Sequence, residues 1–287
     1  MGPRVSTLRL GISTCPNDTF AFHGLLTDRV DRRGLELTIE LADIEELNRR
    51  VLADDIDVAK VSFHAALLCA DEVVVLPSGS ALGFGVGPVL LAARPGTRPA
   101  DALPPGRPAR VLAPGEHTTA ALLYRLFHPG AGELEHVVFS DIMPALASGA
   151  ADLGVCIHEG RFTYEEHGLE LVEDLGATWE RATSAPLPLG GIVARKRLGE
   201  ELLRRVQAVV RDSLEYGLAH RAEALETMRR HAQEASDDVL YAHVDLYVNE
   251  WTRDLGTEGR RALAALAERA AAAGILPLGR TLTIAPP

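Results

Sequence analysis

The sequence predicts an α/β protein in which one domain is inserted into another, with a ligand cleft between the two. Three observations carry this expectation. Short β-rich runs alternate with amphipathic helical stretches, the pattern of a mainly parallel sheet with crossover helices. Two segments resemble one another: Gly87-Pro88-Val89-Leu90-Leu91-Ala92-Ala93-Arg94 and Gly190-Gly191-Ile192-Val193-Ala194-Arg195-Lys196. Each is an apolar run that begins at glycine and ends on a basic residue. They bracket a region with its own strand–helix alternation, and after Arg195 the chain is almost wholly helical. The expected division is a discontinuous large domain, 1–93 with 192–287, and an inserted small domain, 94–191. The two similar segments are the crossover strands and the hinge.

In chain order, 8–13 reads as the first strand, closed by the turn Cys15-Pro16-Asn17-Asp18 and followed by a helix from Thr19. A strand over 35–41 precedes a helix over 44–53. A short strand over 57–61 follows, and Ser62 is placed to cap a helix running to Ala70. A further strand spans 73–76. The stretch 79–87 is too rich in glycine for a helix and reads as a loop that approaches a ligand or another backbone. The Pro-rich stretch 94–108 suits the start of the inserted domain. That domain reads as strand 110–113, helix 119–127, strand 136–139, helix 141–148 and strand 152–157. Helices over 200–220, 221–231, 236–254 and 257–273 return to the large domain, with Gly274 as a stop and Pro277 beyond it.

Composition narrows the function. The 287 residues suffice for two modest domains, and 47% hydrophobic with 24% charged residues is the balance of a folded protein. A net charge of -11 without a basic block argues against nucleic acid as a partner. An anionic small molecule remains admissible if its site has a local positive potential, and so does a homodimer. Cys15, Cys69 and Cys156 are far apart and odd in number, so neither a disulfide framework nor a Cys-x-x-Cys metal site is expected. Each reads as a small buried hydrophobe. No apolar stretch of ~20 residues suggests a membrane span, and 1–14 lack a signal-peptide core, so the expected compartment is the cytoplasm. No His-x-x-x-His or acidic cluster points to a metal, and no Gly-x-Gly-x-x-Gly or Ser/His/Asp signature is present.

Four polar segments fall at the carboxyl ends of expected strands, where open α/β sheets bind ligands. Residues 15–19 and 60–62 belong to the large domain, and 115–119 and 158–161 to the inserted one, so a cleft between them brings all four together. Asn17 and Asp18 suit a turn that opens a helix on local grounds alone, but they also present polar atoms at a strand end. Lys60 and Ser62 share one side of an extended segment; Ser62 serves equally as a cap or a ligand contact, and Lys60 is harder to dismiss because an unpaired buried ammonium is costly. Thr118 and Thr119 stand at a helix start, where free N–H groups and the helix dipole receive a carboxylate or phosphate. Thr118 serves equally well there as a plain cap. His158 ends an apolar strand beside Glu159 and Arg161. Its ordinary pKa near 6.5 suits proton abstraction at neutral pH.

These segments also carry a family resemblance. Ser13-Thr14-Cys15-Pro16-Asn17-Asp18-Thr19-Phe20, Asp57-Val58-Ala59-Lys60-Val61-Ser62 and Ser78-Gly79-Ser80-Ala81-Leu82-Gly83 resemble those of the 1,4-dihydroxy-6-naphthoate synthases. So do Pro114-Gly115-Glu116-His117-Thr118-Thr119, the run Ile157-His158-Glu159-Gly160-Arg161-Phe162-Thr163-Tyr164, and Pro186-Leu187-Pro188-Leu189-Gly190-Gly191. The resemblance runs in order from about residue 8 to 277. It implies a type 2 periplasmic-binding-protein fold and an enzyme of menaquinone formation by the futalosine route. That enzyme cleaves cyclic dehypoxanthinyl futalosine without a cofactor. It also implies His158 as the proton acceptor, with substrate contacts at Lys60, Val61, Ser62, Thr118 and Thr119, and with Asn17 and Asp18 as weaker candidates for contact.

Two competing readings share the fold: chorismate dehydratase, and a non-enzymatic solute-binding protein. The Cys-Pro-Asn-Asp and Ile-His-Glu-Gly-Arg-Phe segments favour the synthase over the first. The lack of an export signal or lipoprotein cysteine disfavours the second.

Overall fold

The strand Leu8–Ser13 is buried on nearly every residue, as befits a strand covered on both faces. It pairs in parallel with Leu37–Ala42 on one side and Val58–Ser62 on the other. This is the start of a mixed sheet in a computed structural model that describes residues 7–103, 106–158, 160–232 and 236–286. Glu159 of the fourth strand-end segment and Pro104 and Pro105 of the Pro-rich stretch lie outside the described residues.

The first sheet continues through Leu187–Arg195 to Val73–Val75, and Ala81–Gly83 pairs with Leu187–Arg195 off that path. The second sheet has the order Glu133–His136, Arg110–Ala113, Leu153–Cys156, Val89–Ala92, Glu170–Asp174. Sheet membership therefore changes within two short connections, residues 84–88 and 184–186. The sheets are not mainly parallel as expected. Leu187–Arg195 runs against Val58–Ser62, Val73–Val75 and Ala81–Gly83, and Val89–Ala92 runs against Leu153–Cys156 and Glu170–Asp174. The reason is geometric. A strand arriving from the other lobe enters at the cleft, where the parallel strands end, and can only run back against them.

Other local differences have local causes. The strand expected over 136–139 is Glu133–His136, alternately exposed and half-buried as an edge strand should be, and the next helix starts at Phe139. The helix expected over 236–254 is two: Asp237–Tyr247 and Glu250–Arg253. Asn249 interrupts it with a capping box closed by Thr252. The strand Glu170–Asp174 and the helix Leu175–Thr183, capped by Asp174, were not foreseen. Nor was Ala81–Gly83 inside the glycine-rich loop.

Where the chain crosses between sheets, backbones almost touch. A Cβ on Gly87 would lie 2.2 Å from Gly176 Cα, so neither position admits a side chain without moving the helix Leu175–Thr183. One hydrophobic core joins the lobes, from Leu47 and Phe63 through Leu122 and Trp179 to Leu263 and Leu266 of the helix Gly256–Ala272. A second packs Leu10, Ile12 and Phe22 against Val206, Val210 and Leu214 of the helix Gly199–Ala219. Each such side chain, fully buried, contributes roughly 1.5–3 kcal/mol.

Candidate active site

The strand Leu8–Ser13 delivers Ser13 to the cleft, and Cys15 stands at the N-cap position of the short helix Pro16–Ala21 that follows. Ser13 Oγ accepts from the Cys15 N–H at 3.2 Å and donates to Asp18 Oδ2. Asp18 Oδ1 accepts from Asn17 Nδ2 at 2.9 Å and from Lys60 Nζ at 2.6 Å, and Lys60 also reaches the Gly79 carbonyl at 3.1 Å. The ammonium thus has the partner its burial demanded. Ser62, two residues on, exchanges hydrogen bonds with Asn48 of the helix Ile44–Leu52.

The second sheet contributes the other wall. Gly115 turns with φ at +99°, and a Cβ there would collide with Glu45 at 2.6 Å. Thr118 caps the helix Thr119–Phe127 through the Ala121 N–H at 3.2 Å and donates to the Gly115 carbonyl at 3.0 Å. Thr119 Oγ1 donates to the Leu189 carbonyl at 2.6 Å. Both hydroxyls thus serve the protein itself. What this helix start offers a ligand is the set of first-turn N–H groups that no intrahelical carbonyl can reach.

Just beyond Leu153–Cys156, His158 sits in the left-handed region at φ +57°, uncommon for a side-chain-bearing residue and frequent at functional turns. Its Nε2 is 3.3 Å from Cys15 Sγ, and its ring meets Phe139 edge-on with centroids 4.8 Å apart. Burial, then the Lys60 charge, lowers its pKa to about 4. The ring is therefore neutral at physiological pH.

One cavity, about 630 Å³ counting its open mouth, is bordered by Asn17, Asp18, Lys60, Val61, Ser62, Thr118, Thr119 and His158. The structure thus brings all eight sequence-derived candidates together. Val61 borders it although its side chain belongs to the core. Arg161 does not join them: it spans the Gly87 carbonyl and Asp174 at the interlobe crossing.

Several residues escaped the sequence reading. Cys15, buried as expected, is also the group against His158 Nε2, because the turn folds it towards the opposite lobe. Glu45 accepts from the His117 N–H and lies 2.7 Å from His117 Nδ1, bridging the lobes beside Thr118. His243 and Tyr247 also border the cavity, from the helix Asp237–Tyr247. Their i, i+4 spacing on one helix face was the available signal. Among the described residues, no group of three His, Cys, Asp or Glu is placed to hold a metal, and no helix is long and apolar enough to cross a membrane.

Two mixed sheets around a cleft, with polar groups at strand ends facing each other across it, define a two-lobed protein of the periplasmic-binding-protein fold. The alkanesulfonate-binding protein of Xanthomonas axonopodis shares this architecture, with a TM-score of 0.70 over 96% of each chain, and at 14% identity it speaks for the fold alone. A solved structure from Archaeoglobus fulgidus is nearer, with a TM-score of 0.87 at 30% identity over 94% of this chain and 98% of that one.

Within that class, residues 8–272 match the model of the menaquinone biosynthesis family, and the chain belongs to it. The 1,4-dihydroxy-6-naphthoate synthase of Thermus thermophilus is 46% identical over 94% of this chain and 96% of its own length. The enzyme of the same name from Streptomyces coelicolor is 41% identical over 94% and 95%.

Proposed function

We propose that this protein is itself a 1,4-dihydroxy-6-naphthoate synthase: a cofactor-independent carbon–carbon lyase acting on cyclic dehypoxanthinyl futalosine in the cytoplasm. The observation that carries the reading is His158, a neutral imidazole on the wall of a cleft shared with Lys60 and the start of the helix Thr119–Phe127. A neutral imidazole is the form able to accept a proton.

In the proposed reaction His158 takes a proton from the carbon beside a ketone, and the C–H electron pair becomes an enolate. The enolate expels the sugar-derived fragment, which leaves with the electron pair of the broken carbon–carbon bond and takes up the proton held by His158, and aromatisation of the new ring drives the step. First-turn N–H groups at Thr119 and Ala120 are suited to holding the anionic substrate, an interaction strongest where water is excluded. Cys15, against Nε2, is the group that orients the ring. Closure of the lobes, with Glu45 and His117 as a clasp at the cleft, removes bulk water from the site.

The test is mass analysis of the product formed from cyclic dehypoxanthinyl futalosine, with chorismate as a parallel substrate. Formation of 1,4-dihydroxy-6-naphthoate is expected, and dehydration of chorismate instead would overturn the reading. His158→Ala should lower turnover about 10²- to 10⁴-fold, as loss of a general base does. A folded variant within about tenfold of wild type would remove His158 from that role.

A further inference from the structure

His243 lies on the helix Asp237–Tyr247, away from the strand-end motifs, yet it borders the same cavity as His158 and Lys60. Its ring centroid is 6.2 Å from that of His158 and 4.4 Å from that of Tyr247. The residue is 1% exposed, and neither Nδ1 nor Nε2 has a hydrogen-bond partner among the described residues. Other histidines differ. Buried His23 and half-buried His136 each leave one nitrogen unpaired while the other contacts Thr227 or Arg125.

Two unpaired nitrogens in a buried ring carry a desolvation cost that no protein contact offsets. The helix's apolar contacts with Phe20 and Met228 come from Leu240 and Val244, so that cluster does not depend on His243. A group entering the cavity gives a reason for the histidine.

We propose that His243 is a second substrate-contacting histidine, whose N–H donates to the ketone oxygen as negative charge develops there. This rests on the reading of His158 as the base. When the C–H bond breaks, the proton goes to His158 and the electron pair to the oxygen. His243 keeps its own proton throughout, and the proton held by His158 goes to the departing fragment. Burial, then His158 and Lys60, holds the His243 ring neutral. A neutral imidazole has one N–H in either tautomer, and with both nitrogens unclaimed that N–H is available to the substrate. A neutral histidine is an effective partner for a developing enolate.

The experiment compares wild type, His243→Phe and His243→Asn for turnover of cyclic dehypoxanthinyl futalosine, alongside their melting temperatures. The phenylalanine variant should keep its melting temperature and lose about 100-fold in kcat, the effect of deleting one oxyanion donor, with KM within about threefold. The asparagine variant should recover about tenfold of that loss. A merely structural histidine would move the melting temperature and leave kcat alone. If wild type does not turn over this substrate, the functional reading itself fails. If wild type is active and His243→Phe stays within about threefold of its kcat, only the His243 assignment fails. Should the phenylalanine variant not fold, a crystal structure of wild type with 1,4-dihydroxy-6-naphthoate decides. An imidazole nitrogen within about 3.2 Å of a product oxygen upholds the contact, and a greater separation overturns it.

Discussion

Replacing Lys60 by methionine removes the cation of an ion pair whose atoms lie 2.6 Å apart with both side chains almost fully covered. Deleting one partner of a buried pair costs about 3–5 kcal/mol, because the surviving charge loses its compensation without regaining water. In K60M the surviving carboxylate keeps Ser13 Oγ and Asn17 Nδ2 as donors, which places the loss near the lower end, about 3 kcal/mol. In D18N the ammonium keeps the Gly79 carbonyl and a neutral amide, which places the loss near the upper end, about 5 kcal/mol. The double variant buries no charge and should be less destabilised than the two losses added, by about 2 kcal/mol or more. Denaturant unfolding of the four proteins measures all of this in one double-mutant cycle. Losses under about 0.5 kcal/mol in both single variants, or strict additivity in the double, would refute the view that this pair holds the strand ends together. K60M should also raise the pKa of His158 from about 4, since the Lys60 charge is one cause of its depression.

Acid should weaken the fold before it protonates the carboxylates. Burial holds His158 and His64 at about 4, below the ordinary 6.5, so between those values the unfolded chain binds more protons than the native one. Their contribution is complete above pH 6.5 and is lost as the pH falls towards 4, so the melting temperature should drop steadily over that window, and less steeply in His64→Leu. A flat profile from pH 7 to 4.5 would contradict it. Gly176→Ala places a methyl group 2.5 Å from Gly87 Cα, where two backbones meet and neither can yield cheaply. A loss of about 3 kcal/mol in denaturant unfolding is expected, and an unchanged midpoint would show that the crossing is not tightly packed.

The strand-end motifs were legible because local chemistry marks them: glycine and proline punctuate the chain, and a lysine or histidine ending an apolar run needs a polar partner there. Asp18 and Lys60 could be suspected singly, yet their pairing spans 42 positions and depends on Leu8–Ser13 lying beside Val58–Ser62. Strand direction was illegible for the same reason. Nothing within Gly190-Gly191-Ile192-Val193-Ala194 tells whether it runs with Val58–Ser62 or against it. His243 was hidden by its setting, since a histidine on an amphipathic helix is commonplace. Only the packing of that helix against Pro16–Ala21, through Phe20, Leu240 and Val244, turns the ring towards the cavity. The hydroxyls of Thr118 and Thr119 were legible as a helix start, but not as groups already occupied by Gly115 and Leu189.

The position of Leu187–Arg195 between Val58–Ser62 and Val73–Val75 has a consequence for how the chain comes to be folded. The second sheet is assembled from strands that all fall between Val89 and Asp174, and can form as soon as that stretch emerges from the ribosome. The first sheet cannot. Its two halves are made early but stay separated until a strand synthesised more than a hundred residues later slides between them, a closure of high contact order. Until then the strand carrying Lys60 is an open edge, available to any other nascent strand. Nascent chains arrested before residue 187 should therefore be the aggregation-prone species, and prolonged pausing just upstream the step where a cell loses this protein.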